Sequence, residues 1–577
     1  MKKVKTILYG AALLLLVNAC DSILDREVVL SLTEDDVLTL YNNTQSRAVA
    51  IYNYLPSGFR CVDGAMMASA SDEAEYTLET SSIQMFNVGS WNAKNNPDGG
   101  SWWNNFRGIY LVNHFLANSD NLDLEMYRLN PDDIGHEQYQ NRLDNIKRWK
   151  YEVRFLRAYF YFELIKRYGG VPVITRPVEI GDSFPRNTLD SCVNFIVKEC
   201  DDIAWGLPVK YTEQENLGRA TRGAVLALKS RVLLYAASDL FNSPEKWASG
   251  YANKDLISVK PIDRKERWKR AADAAKNVID LTDAGYALSN NYQGVFRSYT
   301  DAEIILARRD GASNDFEKAN YPVGYDLGNS GNTPSLNLLD DYEMLDGTAF
   351  DWNNKNHAAN PYRGRDPRLA FTILSNMTKF NGRPVECWTG GRDGKGVPRA
   401  TKTGQYLLKY IDPELNLLEG RTSVHTWVLI RLAEVYLNYI EALNEYQPAH
   451  SDIKIYYNKI RQREGIKMPE LPDGLDQDAV RQKIRHERRI ELAFEDHRLW
   501  DARRWMIAAD NEKGKGVLNI PLRGLEILNR GGVPSYTPIE IEKRNFEPKM
   551  YLYPIPQGDL DIAGWSQNPL WLSLIHI

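Results

Sequence analysis

The chain has 577 residues, 43% of them hydrophobic and 25% charged, and a formal net charge of −5. Without a basic field it offers nothing to a nucleic-acid backbone, and its length allows several domains or one large repeat-built body. Its 14 Trp and 32 Tyr are the compositional signal, because several sit in Asn- and Gly-rich stretches rather than in periodic helices.

In chain order, Lys2, Lys3 and Lys5 precede an apolar run from Ile7 to Val17 that is too short to span a bilayer. Val17-Asn18-Ala19-Cys20 then has the form of a lipobox. Residues 1–19 are therefore expected to be a signal peptide and Cys20 a lipidated N-terminus, with residues 20–30 as a tether and lipid as the only membrane anchor. Cys61, Cys192, Cys200 and Cys387 are expected to be buried thiols, since eight residues of helix separate Cys192 from Cys200 by about 12 Å. No CxxC spacing occurs, so no metal site is expected.

Thr33 is the expected N-cap of a helix reaching about Leu55. A loop-rich stretch follows to Ser101, then a helix from Trp102 to Ser119 with Phe106, Ile109, Tyr110 and His114 to Leu116 near its buried side. The helix from Ile146 to Tyr168 should close at Gly169, a left-handed cap, with Pro172 forbidding resumption. Leu189 to Leu207, Arg222 to Phe241 and Glu266 to Leu281 predict three more helices. Residues 31–282 form the N-terminal part of a helical scaffold.

Between 283 and 426 helical periodicity disappears into a long Gly-, Asn-, Asp- and Pro-rich segment whose aromatic content argues against disorder. Gly390 to Gly396 lacks the spacing of a phosphate loop. Residues 427–505 return to helix as a pair from Val428 to Trp505. Leu429, Leu432, Ala433, Tyr436, Ile440 and Leu443 make one stripe, with Asn438, Glu441 and Asn444 on the other side. In the second helix, from Asp478, the stripe Val480, Ile484, Glu487, Glu491, Phe494 carries two carboxylates. We expect Arg488, with Arg498, Arg503 and Arg504, to hold Glu487 and Glu491 ionised in a structural ion network rather than leave them as a glycosidase pair. Residues 506–577 predict loops and short strands.

Leu429 to Asn444 and Ile484 to Glu495 resemble the two signature helices of the SusD/RagB family of surface nutrient-binding lipoproteins. Arg154 to Tyr159 with Tyr168 to Pro172, Arg219 to Ala224, Thr333-Pro334-Ser335, Asp341 to Met344 and Arg365 to Leu369 are similar to further family landmarks, in order. So is Tyr551 to Pro556 with Gln567-Asn568-Pro569. The chain departs from the pattern at Leu570-Trp571 and in the tail Leu572 to Ile577. The resemblance implies a mainly α fold, a tetratricopeptide-like helical-repeat scaffold whose large irregular insert carries the ligand site. It also implies a SusC-like TonB-dependent transporter as partner, an outer-membrane location, and capture of oligosaccharide without turnover. Import of peptides is the alternative, and a surface glycosidase a further one.

Sugar rings stack on aromatic faces while rim groups bond their hydroxyls. The candidate ligand contacts, chosen by residue type and loop placement, are Trp91, Asn92, Asp98, Trp102, Trp103 and Asn104 from the N-terminal loop, with Tyr325, Trp352 and Trp388 from the middle segment. No catalytic residue and no cofactor are expected, with a structural calcium ion left open.

Overall fold

The computed structural model describes residues 38–571, apart from 121, 123 and 130–132. Cys20, the signal segment, Thr33 and the tail from Leu572 lie outside the described residues. The chain divides into two compact units, Met1–Arg47 with Asn118–Ile146, and Ala48–Ala117 with Lys147–Ile577. In the first, the Arg142 guanidinium lies over the rings of Tyr41 and Tyr127, at 4.1 and 3.9 Å, and Asn145 donates to the Tyr41 hydroxyl at 2.7 Å.

The second unit holds the helical stack. Its helices are α1 (Gly100–Asn118), the C-terminal part of α2 (Asp133–Tyr168), α3 (Leu189–Ile203), α4 (Arg222–Ala237), α5 (Arg264–Ile279), α6 (Leu432–Tyr446), α7 (Ser451–Arg461), α8 (Gln477–Glu491) and α9 (Arg498–Arg504). Side chains cap the starts: Thr188 accepts from Ser191 N, Thr221 from Ala224 N, Asp263 from Lys265 N and Asp476 from Ala479 N. Each helix packs on the next, α3 on α4, α4 on α5, α5 on α6, and α6 on both α7 and α8. Buried alanines such as Ala224, Ala227, Ala271 and Ala275 let the backbones approach. This is a mainly α, tetratricopeptide-like helical-repeat scaffold, in which a helix buries its face only against its neighbours.

Helix α2 starts well before the expected Ile146. Residues 136–145 are largely exposed and carry no apolar stripe, so good helix formers such as Glu137, Gln138 and Arg142 extend it without a periodic signal. It closes as expected at Gly169, whose φ is +72°, and a Cβ there would lie 2.5 Å from the Leu256 carbonyl oxygen.

The segment between α5 and α6 was expected as loops and short strands, and it holds both. Strand β1 (Ile304–Ser313) pairs antiparallel with β2 (Ser423–Arg431), and short strands tie Ala74–Tyr76 to Asn332–Pro334 and Ile373–Leu374 to Tyr406–Leu407. Strand β2 corrects the expected helix start: Val428 to Arg431 is extended, and helix begins at Leu432. Leu429 lies three residues before Leu432, so the stripe was counted through the junction, whereas His425-Thr426-Trp427-Val428 has the β-branched and aromatic character of a strand.

Asn438, Glu441 and Asn444 are also buried, so α6 is covered on all sides rather than amphipathic. The second expected helix is broken after Glu491, where Phe494 and Asp496 take positive φ of 63° and 59°, and α9 resumes at Arg498. C-terminal to the stack, β3 (Leu522–Arg530) and β4 (Val533–Glu542) form a hairpin longer than the short strands expected. Gly531 and Gly532, both at positive φ, supply its two-residue turn. All four cysteines of the described residues are free; Cys192, Cys200 and Cys387 are buried, and Cys61 is half-buried rather than buried.

Candidate functional site

The carboxylates on α8 are sealed from solvent. Glu487 accepts from Arg368 Nη1 at 2.5 Å and from Arg461 Nη1 at 2.9 Å. Glu491 accepts from Arg431 Nη1 at 2.7 Å, from Arg368 Nη1 at 2.8 Å and from Arg463. Burial opposes ionisation of Glu491, but Arg463, Arg431 and Arg368 overcome it and hold the carboxyl well below the usual range. The network is structural, but its arginines are not those expected from α8 and α9. Arg488 turns to Asp501 at 2.7 Å and Asn438 at 2.7 Å, Arg498 to Asp72 at 2.7 Å, and Arg504 to Glu441 at 2.5 Å. The true partners come from β2, from α7 and its following turn, and from Arg368 in the middle segment, none of which a single helix's spacing exposes.

Among the N-terminal candidates, Trp91 and Trp102 are core residues. The Trp91 ring meets Phe86, Tyr553 and Trp571 at 4.9, 5.0 and 4.7 Å, and Trp102 meets Phe106 and Tyr168 at 4.8 and 4.7 Å. Asp98 is buried against Arg167 Nε at 2.8 Å, so its charge is committed. Asn92 is exposed, but its Oδ1 accepts from the backbone of Lys94 and Asn95 and shapes a turn. Trp103 and Asn104 are open to solvent, Trp103 by 60%.

Trp103 begins a stripe that continues through Tyr110 and His114, both expected near the buried side of α1 and both reached by solvent. Tyr110, seven residues on and so on the same face of α1, is 39% exposed. The Arg107 guanidinium lies 5.2 Å over its ring, and the half-buried His114 stacks on its other neighbour position at 6.1 Å. The spacing of Trp103, Arg107, Tyr110 and His114 was the signal available for this face.

In the middle segment Tyr325 is buried under Phe380 and Arg383, the guanidinium 3.6 Å from the ring centre. Trp388 is half-buried, and its carbonyl accepts from Gly391 N at 2.8 Å at the base of the glycine loop. Trp352 is half-buried beside Phe350, ring centres 5.0 Å apart, and its indole donates to Asp340 at 3.0 Å. Asp340 also lines a cleft of about 450 Å³ with Asp341, Glu343, Gln482, Lys483 and His486. Arg523 holds the other oxygen of Asp340 at 2.7 Å. Trp352 is thus bonded to Asp340, a wall residue of a cleft between the middle segment and α8, without lining that cleft itself.

Fold and site define a helical-repeat body with one exposed aromatic stripe on a helix and one cleft whose wall residue Asp340 is bonded to Trp352. Two family models match in sequence. One, described as the SusD family, covers residues 302–571, and one described as starch-binding associating with outer membrane covers residues 61–234. The chain is 24% identical over 440 residues to SusD-like protein P25 of Formosa agariphila, covering 71% of this chain and 70% of that one. A SusD-like protein of Bacteroides fragilis superposes with a TM-score of 0.75 at 24% identity, over 93% of this chain and 98% of that chain. The surface glycan-binding protein A of Bacteroides uniformis does so with a TM-score of 0.62 at 18% identity, over 92% and 99%. The chain belongs to the SusD/RagB family.

Proposed function

We propose that the protein is a cell-surface glycan-binding lipoprotein, anchored in the outer membrane through Cys20, that captures oligosaccharides and hands them to a SusC-like TonB-dependent transporter. The observation that carries the reading is the exposed Trp103 ring on α1, beside the exposed Asn104 and on the same face as Tyr110, whose own ring lies under Arg107. Such a face suits the C–H side of a sugar ring, and Trp352 with the cleft beside it offers a second contact with hydrogen-bonding groups around it. The descriptions of relatives as starch-binding at the outer membrane and as surface glycan-binding support the same ligand class and location. No turnover is assigned, since Glu487 and Glu491 have no access to a ligand. The test is a glycan array followed by titration calorimetry on the protein from Asp21 onward, with W103A and W352A. Saturable binding weakened by at least one substitution supports the reading, and absence of any saccharide binding, or binding indifferent to both, rejects it.

A further inference from the structure

Between Asn92 and Ser119 the chain holds one carboxylate, Asp98, and it is buried on Arg167 at 2.8 Å. The one lysine and the one arginine of that stretch, Lys94 and Arg107, are both exposed, and neither meets a carboxylate among the described residues. The acids of the neighbouring helix Gln557–Ala563 are turned elsewhere, Asp559 to the Trp102 indole and Asp561 to Gln557 at 2.7 Å. The exposed face of α1 therefore carries a cation that no internal acid has claimed.

Arg107 differs from an ordinary surface arginine in being held. Its guanidinium lies 5.2 Å over the Tyr110 ring, and Tyr110 is itself backed by His114, ring centres 6.1 Å apart. Stacking on an aromatic face orders the planar fork without using any of its N–H donors. An arginine ordered in advance loses less side-chain entropy when it takes up a carboxylate.

Trp103 sits four residues before Arg107, about 6 Å along the helix axis, so the two side chains are neighbours on one face. Among the described residues no other ring and no cation lies against the Trp103 indole, which leaves its faces open. A sugar ring laid on Trp103 thus brings the substituents on its rim to Arg107, with the exposed Asn104 beside it for hydroxyls. A hydroxymethyl group there meets the fork through neutral hydrogen bonds, whereas a ring carboxylate meets it through a bidentate, charge-assisted pair, which is the stronger contact.

We propose that the saccharide held on α1 is acidic, a uronate-bearing chain whose ring stacks on Trp103 while its carboxylate is received by Arg107, which makes Arg107 the residue that selects for charge. The proposal rests on the glycan-capture reading and narrows its ligand class. The test is titration calorimetry of the protein from Asp21 onward with oligogalacturonate, oligoalginate and a glucuronoxylo-oligosaccharide, each beside its carboxyl-reduced neutral form, and with a sulfated galactan. Expected is binding of at least one acidic member tenfold or more tighter than its neutral form at low salt, with a gap that narrows as salt screens the charge. R107Q should close the gap by weakening the acidic member alone, R107K should keep part of it because the charge stays and the fork is lost, and W103A should weaken both forms. Acidic and neutral forms bound alike, a gap untouched by R107Q, or a sulfated galactan bound tighter than every uronate overturns the proposal and leaves glycan capture standing. Absence of any saccharide binding overturns both.

Discussion

Arg368 and Glu487 bond across 119 residues of sequence, Nη1 to Oε1 at 2.5 Å, and the same nitrogen reaches Glu491 at 2.8 Å. The contact pins the middle segment to α8 through two charges that have no solvent to fall back on. Arg368→Ala leaves Glu487 short of one partner and Glu491 short of another, at a cost of about 3–5 kcal/mol. Chemical denaturation should show that loss as a lower midpoint. A change under 1 kcal/mol would mean the network is dispensable.

Glu441 supplies a pH dependence of known sign. Burial raises its pKa, but Arg504 more than offsets this and brings the carboxyl down to about 2. Its folded value lies below the unfolded one, so its contribution is complete above about pH 4.5 and is lost as pH falls toward 2. The stability gap between wild type and Glu441→Gln should therefore be about 3 kcal/mol at pH 7 and narrow steadily below pH 4.5. Urea titrations at pH 7, 4 and 3 measure it, and a gap that is constant with pH sinks the assignment.

Gly169 ends α2 at φ +72°, with the Leu256 carbonyl oxygen where a Cβ would go. Left-handed backbone alone costs a side chain about 1–2 kcal/mol, and the close approach adds to it. Gly169→Ala should lower the thermal midpoint by several degrees, whereas Gly181→Ala, at positive φ with open space around it, should lower it less.

Trp103 and Trp352 should each contribute about 1.4 kcal/mol to glycan affinity, a loss near tenfold on substitution by alanine. Trp91→Ala and Trp102→Ala should instead destabilise the fold by about 3–5 kcal/mol, because both rings are enclosed by other aromatics. Calorimetry and thermal unfolding on the same four variants separate the two classes.

The end of α2 was legible because Gly169 and Pro172 are local signals, and α3 and α4 were expected from Leu189 and Arg222, where the structure adds Thr188 and Thr221 as caps. Family-like stretches on α6 and α8 added the repeat architecture. The strand at Val428 escaped notice because its apolar residues stay in phase with the helix that follows. The break at Phe494 and Asp496 escaped because neither residue type announces a positive φ. Within the site, residue type identified aromatics but not their exposure: Trp102 and Trp103 are adjacent, yet one is enclosed and the other open, a distinction set by which face of α1 meets Tyr168.

The anchoring of Asp72 has a bearing on how the chain is made. Its carboxylate is held by Arg489, 417 residues later, and by Arg498. Until the chain has been made through Arg498, Asp72 lacks both of the cations that hold it in the folded protein, and enclosing it earlier would bury an unpaired charge. The loop around Asp72 therefore reaches its final pairing only once α8 and α9 exist.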